Sequence, residues 1–162
     1  MNLDALRTRA LSTLDRFSWV GPLAVRLSLG AVFLGTGWGK IHNLGQVTGF
    51  FTELGIPFPA VQAAMVSGSE LVGGTLVLVG LFTRFTAVPL MGTMIVAILT
   101  AKRPEIDGIR SLLAVDEFTY LAGLLWLTVA GAGKASLDWV IYRRKSALPR
   151  PLLRPTGDAA QQ

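Results

Sequence analysis

The fold is decided by residues 60–101, which read AVQAAMVSGSELVGGTLVLVGLFTRFTAVPLMGTMIVAILTA. Only two charged side chains, Glu70 and Arg84, interrupt this stretch. Because about 20 apolar residues are needed to cross roughly 30 Å of hydrocarbon, residues 60–82 predict one transmembrane helix and residues 85–101 another. The turn between them is so short that the second helix must return antiparallel beside the first.

Two further apolar stretches, at residues 22–41 and 117–132, complete the predicted bundle. The chain is 51% hydrophobic and 15% charged, with a mean hydropathy of +0.53, whereas soluble domains carry roughly 25% charge. The sequence therefore predicts an all-α fold, an integral membrane four-helix bundle in a single domain over residues 22–141. Gly35 and Gly39, four residues apart, are candidates for close approach of another helix.

Short amphipathic helices are predicted at the membrane surface, outside the four spans. In residues 1–21, apolar side chains recur at helical spacing while the arginines lie largely off that stripe, as in a helix that lies in the interface. The connector 42–59 shows similar spacing, followed by Gly55 where a helix would end. Another interfacial helix is predicted to begin at Ser136. Residues 142–162 are basic, then proline-rich, and are predicted to be disordered.

The distribution of basic residues predicts the orientation of the chain. Its formal net charge is +5, and ten of the 15 Lys and Arg residues fall on the side of the two termini while four fall on the opposite side. The positive-inside rule then places both termini in the cytoplasm and the chain in the cytoplasmic (inner) membrane. Since the basic excess flanks apolar spans, its expected partner is the lipid bilayer and no nucleic acid is expected.

Two ionisable residues fall inside the predicted spans, Arg26 in the first and Glu70 near the centre of the second. A charge at this depth is costly unless it meets a partner or a polar cavity. We therefore expect the two side chains to form a buried charged pair that fixes helix register, or a polar pocket for a quinone or another head group. Snorkelling of Arg26 toward the interface is the remaining alternative.

A second polar set is expected at the outer face, where Lys40, His42 and Glu117 are the candidates. His42 is the only histidine and the chain has no cysteine. Bis-histidine haem ligation, iron–sulfur clusters and histidine-rich metal sites are therefore excluded, and no metal site is predicted. The sequence also lacks a dinucleotide-binding fingerprint, so no intrinsic cofactor is expected.

Several short motifs, taken in order, resemble the DoxX family of small four-helix bacterial membrane proteins. The resemblance covers about residues 23–141. It is carried by the run from Arg26 to Lys40, by Glu70 with the following glycines, by Leu81, Thr83 and Arg84, and by the segment Gly131, Gly133, Ser136, Leu137 and Asp138. The resemblance implies a link, in some members, to thiosulfate:quinone oxidoreductase and other membrane oxidoreductase assemblies.

Three functions stay open at this point. The chain could be the membrane component of a quinone-linked oxidoreductase system, with a quinone and a soluble or membrane redox partner protein. It could instead be a non-enzymatic membrane scaffold or assembly factor, or a small-solute transporter that uses the buried charges. The sequence leaves open whether the chain is an enzyme, which residues would be catalytic, and whether it forms an oligomer.

Overall fold

The computed structural model describes residues 17–146, and all regular structure within that range is helical. Its seven α-helices are α1 (Val20–His42), α2 (Leu44–Glu53), α3 (Pro59–Val79), α4 (Thr83–Leu99), α5 (Ile109–Ala114), α6 (Asp116–Ala130) and α7 (Leu137–Ser146). A single 3-10 turn lies at Arg103–Glu105. Most of the predicted N-terminal amphipathic segment, and the tail after Ser146, lie outside the described residues.

The four longest helices, α1, α3, α4 and α6, lie at the positions predicted for the four spans. By length and composition, α1 and α3 can each cross a membrane, and α4 is a shorter apolar helix. Only 28% of the most apolar window of α1 and 33% of that of α3 are buried, whereas a core helix of a soluble protein would be mostly buried. Large apolar side chains such as Met65, Phe85 and Val129 are exposed instead. The fold is the predicted membrane helical bundle, whose outer surface is apolar because it faces lipid.

Helices α1 and α3 pack antiparallel at very short distance. A side chain on Gly30 would strike the backbone of Leu78, and one on Gly37 or Gly74 would strike backbone on the facing helix. Only glycine allows this approach. Gly35 and Gly39, the candidates from the sequence, contact no other helix of the described chain, because a Cβ at either position would meet open space. Both residues lie on the side of α1 that faces away from α3.

The remaining helices close the bundle around a small apolar core. Helix α4 follows α3 after a turn in which Gly80 (φ +71°) and Phe82 (φ +50°) adopt left-handed conformations, and it packs against both α3 and α6. The helix runs through Pro89 without ending. Fully or nearly fully buried side chains from four helices meet in the core: Leu29, Phe33, Val77, Ala87, Leu90, Met94, Leu124 and Leu127.

The connecting segments contain the predicted interfacial helices, with one correction. Helix α2 occupies the 42–59 connector, and Gly55 (φ +69°) follows its end as predicted. The segment between α4 and α6 contains the short helix α5. Helix α7 continues to Ser146, so the segment predicted as disordered from residue 142 begins as helix. Its first turn is tied by Ser136, whose hydroxyl accepts a hydrogen bond from the Trp139 N–H at 3.2 Å, and Arg143 stacks over the Trp139 ring at 4.6 Å.

The orientation of the bundle is still a prediction. We expect both ends of the chain to be cytoplasmic, so that a reporter active only in the cytoplasm is active when fused after Gln162 and inactive when inserted in the 102–110 loop. Alkaline phosphatase, which is active only outside the cytoplasm, should give the reverse pattern at the same two sites. Phosphatase activity after Gln162 would invert the assignment.

Candidate functional site

Arg26 is buried and binds only backbone carbonyl groups. Its Nε donates to the Val77 carbonyl oxygen at 3.0 Å and its Nη2 to that of Leu78 at 2.9 Å. Its Nη1 donates to the carbonyl oxygens of Ala132 at 2.9 Å and Ala135 at 2.8 Å. Four of the five guanidinium hydrogens are therefore used, and the side chain is 2% exposed.

These bonds explain why an arginine lies inside the first span. The carbonyl groups in the last turn of α3 have no i+4 partner within the helix, and the site around Arg26 is buried. Of the two that Arg26 binds in α3, only that of Val77 also accepts a backbone hydrogen bond, from the Gly80 N–H at 3.1 Å. The guanidinium satisfies them and at the same time joins α3 to the segment after α6. A Cβ at Gly80 would overlap the guanidinium, which is why a glycine with positive φ precedes α4.

The segment Gly131 to Asp138, singled out in the sequence, completes the same structure. The Asp138 carboxylate accepts hydrogen bonds from the Phe82 N–H at 2.7 Å and the Thr83 N–H at 3.1 Å, and so caps the first turn of α4. Gly133 (φ +75°) lies against Pro22, and Ser136 begins α7. Leu137 is partly exposed on that helix. We call Arg26, Gly80, Gly133, Ser136 and Asp138 the Arg26 cluster; each member makes structural contacts only.

The predicted pair of Arg26 with Glu70 does not exist. Glu70 instead forms an ion pair with Lys40, whose Nζ donates to Oε1 at 2.6 Å and to Oε2 at 2.8 Å. The Glu70 side chain is 2% exposed and that of Lys40 is 34% exposed. Both charged residues of the spans are buried as expected, but each has a different partner.

The register between α1 and α3 explains why Glu70 pairs with Lys40 and not with Arg26. Gly30 lies against Leu78 and Gly37 against Leu71, so Lys40 stands one turn beyond the point where α1 crosses Glu70. Arg26, at the other end of α1, reaches the last turn of α3 instead. Gly37 and Gly74 set this register and can be seen in the sequence. Other glycines in the same spans are equally plausible contacts, so the sequence does not show which of them face the neighbouring helix.

The Lys40–Glu70 pair lines a cavity of about 750 Å³. The cavity lies among α1, α2, α3, α4 and α6, at the end of the bundle opposite the Arg26 cluster. Its lining is mostly apolar, as is usual for sites that hold small molecules. The polar residues in the lining are Thr36, Lys40, Gln46, Gln62, Ser69, Glu70, Thr93, Thr100, Glu117 and Tyr120. We call it the Lys40 cavity.

Two of the three outer-face candidates belong to this cavity, and one does not. Lys40 and Glu117 both line it. Oxygen Oε2 of Glu117 is buried and has no hydrogen-bond partner in the described part of the protein. His42 is exposed and lies elsewhere, with Nδ1 2.8 Å from the Trp38 carbonyl oxygen and its ring 4.4 Å from the Trp38 ring. His42 is therefore no part of the candidate site.

The polar side chains of the Lys40 cavity can bind a ligand and transfer protons. Lys40 and Tyr120 can donate hydrogen bonds, and Glu70 and Glu117 can accept hydrogen bonds or protons. Within residues 17–146, no cluster of three or more His, Asp or Glu side chains has the geometry to hold a metal ion. The described residues thus form a small membrane helical bundle with a mostly apolar cavity, and the Lys40–Glu70 ion pair lies in its lining.

Comparison with known proteins gives the family. Residues 21–103 match the DoxX family model. The "Uncharacterized membrane protein Rv3486" of Mycobacterium tuberculosis is 35% identical over 136 residues, which cover 77% of this chain and 83% of that protein. The chain belongs to the DoxX family and is a membrane protein.

Two further relatives have informative names. The "Inner membrane protein YqjF" of Escherichia coli is 27% identical, over 77% of this chain and 95% of that protein. The "Putative oxidoreductase CatD" of Bacillus subtilis is 30% identical, over 78% of this chain and 90% of that protein. No solved structure matches this chain.

Proposed function

We propose that this protein is the membrane component of a quinone-linked oxidoreductase system and that the Lys40 cavity holds the quinone. The observation that carries the proposal is the position of one buried ion pair in the wall of a mostly apolar cavity. The name of the relative from Bacillus subtilis supports an oxidoreductase role. Because the chain has no cysteine and one histidine, electrons would have to come from a partner protein.

The lining of the cavity fits a quinone. A quinone needs an apolar slot for its ring and tail, and one or two donors near its carbonyl oxygens. Apolar side chains from α1 to α4 form the slot, while Lys40 and Tyr120 are donors in the same wall. When bound, a quinone supplies an acceptor for two electrons and two protons.

Glu70 and Glu117 supply the proton-binding groups of the proposed site. The unpartnered Oε2 of Glu117 is a buried acceptor, and such an atom is costly unless a bound molecule donates to it. A hydroxyl group on the ring of a reduced quinone could donate a hydrogen bond to this oxygen. A carbonyl oxygen of the oxidised quinone could not, because it carries no hydrogen. The Lys40–Glu70 pair holds its lysine at the cavity wall, where the ammonium can orient an acceptor oxygen.

The proposed quinone site does not use Arg26, which the sequence suggested as part of a polar pocket for the quinone. Four of the guanidinium hydrogens of Arg26 are already bound to carbonyl groups, and Arg26 does not line the Lys40 cavity. The Arg26 cluster lies at the end of the bundle opposite the Lys40 cavity. A transport path through the bundle has no support from this geometry.

A larger side chain in the Lys40 cavity should weaken quinone binding without unfolding the protein. Gly92 lines the cavity, and a Cβ there meets nothing within 4 Å. We expect Gly92→Leu to weaken binding of short-tail benzoquinone and naphthoquinone at least about tenfold, since a leucine side chain occupies volume that the ring needs. Binding can be measured by equilibrium dialysis of the full chain in nanodiscs.

Gly68→Leu is the matched control. It makes the same substitution within a span, a Cβ at Gly68 also meets open space, and Gly68 does not line the cavity. Quinone binding by this variant should equal that of the unmodified protein. If the unmodified protein binds neither quinone above the level of empty nanodiscs, the oxidoreductase proposal gives way to the scaffold. If Gly92→Leu binds normally, the site lies elsewhere.

A further inference from the structure

A second cavity, of about 540 Å³, lies at the end of the bundle that holds the Arg26 cluster. It is formed by the start of α4, the segment that follows α6, and α7. Two cationic side chains line it, Arg84 from α4 and Lys134 from the segment after α6. We call it the Arg84 groove.

The two cations of the Arg84 groove have no anionic partner in the described residues. The ion pairs found between residues 17 and 146 are Lys40–Glu70 and Lys102–Glu105. The carboxylate in the groove, that of Asp138, is already bound to the N–H groups of Phe82 and Thr83. Neither cation is held in an ion pair with a described residue, and with the Asp138 carboxylate counted the lining keeps a net charge of +1.

The backbone shapes the groove around the guanidinium. Arg84 lies along Gly131, where a Cβ would come within 3.0 Å of the Arg84 Nε. Gly131 has a φ of +82°, which disfavours any other residue. This glycine thus leaves the space that the Arg84 guanidinium occupies.

Aromatic side chains place the groove at the depth of the lipid head groups. Phe82 is 60% exposed and Phe85 79% exposed, and Trp139 and Tyr142 line the same groove. Tryptophan and tyrosine favour the boundary between hydrocarbon and water. A ligand in the groove would therefore meet cations at its polar end and apolar rings at its other end.

We infer that the Arg84 groove binds the head group of an anionic phospholipid. Arg84 and Lys134 bind the phosphate, the guanidinium offering parallel N–H donors to two of its oxygens. The exposed rings of Phe82 and Phe85 lie beside an acyl chain. Charge complementarity selects anionic over zwitterionic lipids, as in other basic pockets between transmembrane helices. This inference is independent of the quinone proposal, because the two cavities share no lining residue.

Competition between two lipids tests the inference. The full chain in detergent is offered equal amounts of phosphatidylglycerol and phosphatidylcholine with identical acyl chains, and the lipid retained is counted by native mass spectrometry. We expect phosphatidylglycerol to be preferred, and the double variant Arg84→Gln/Lys134→Gln to lose about thirtyfold of that preference. Arg84→Lys should keep part of it, because the charge stays.

Arg103→Gln/Arg110→Gln is the matched control, since it removes two exposed cations from the opposite end of the bundle. It should leave the preference unchanged. Equal loss in both double variants would show a general charge effect and overturn the site, as would equal retention of the two lipids by the unmodified chain. Inorganic phosphate at similar concentration should not displace phosphatidylglycerol. If it does, the groove binds anions without contacting the acyl chain, and the lipid assignment is overturned.

Discussion

Replacement of Arg26 by leucine is expected to lower the free energy of unfolding by roughly 3 to 5 kcal/mol. The substitution removes four hydrogen bonds. The carbonyl oxygens of Leu78, Ala132 and Ala135 lose the Arg26 donor, and that of Val77 keeps only the Gly80 N–H. These carbonyl groups are buried with Arg26 inside the protein, so their lost hydrogen bonds carry a desolvation cost. Thermal unfolding in detergent, followed by circular dichroism, measures the loss.

Two further variants show whether geometry or charge is responsible. Arg26→Lys keeps the charge, but one ammonium group has three donors and cannot reach carbonyl groups on two separate segments. We expect it to be nearly as unstable as Arg26→Leu. Arg103→Leu, at an exposed position, should leave stability within about 0.5 kcal/mol of the unmodified protein. A stable Arg26→Lys would mean that the charge alone matters.

Removal of Lys40 should be more harmful than removal of Glu70. Lys40→Met leaves the Glu70 carboxylate buried without its partner, which typically costs about 3 to 5 kcal/mol. Glu70→Leu leaves a lysine whose side chain is already 34% exposed and can turn toward water. The double variant should be less destabilised than the sum of the two single variants, because neither charge is then left alone. Thermal unfolding of the four proteins in one detergent gives the coupling energy.

The same experiment distinguishes the observed pair from the one predicted by the sequence. Arg26→Leu and Glu70→Leu lie in separate clusters that share no hydrogen bond, so their effects should add within about 0.5 kcal/mol. A strong coupling between Arg26 and Glu70, with none between Lys40 and Glu70, would contradict the structure. Glu70→Gln gives a nearly isosteric check that the effect comes from charge and not from volume.

The sequence predicted more of the fold than of the candidate site. Hydrophobic run length is a property of neighbouring residues, so residues 60–82 and 85–101 and the short turn between them could be predicted directly. The same holds for Gly55, whose place after an apolar stripe marks the end of α2. The site depends instead on which residues of two distant helices face each other, and a shift of one turn changes every partner.

The sequence by itself determined the fold class and the burial of Arg26 and Glu70, because lipid penalises any charge in a span whatever its partner. The resemblance to the DoxX family, in turn, singled out the segment from Gly131 to Asp138. Tertiary structure alone decided that Arg26 binds the carbonyl groups at the end of α3, that Lys40 pairs with Glu70, and that Glu117 lines the same cavity. The physical reason is the contact of Gly30, Gly37 and Gly74 with backbone of the facing helix, which fixes the register of α1 on α3 to within one turn.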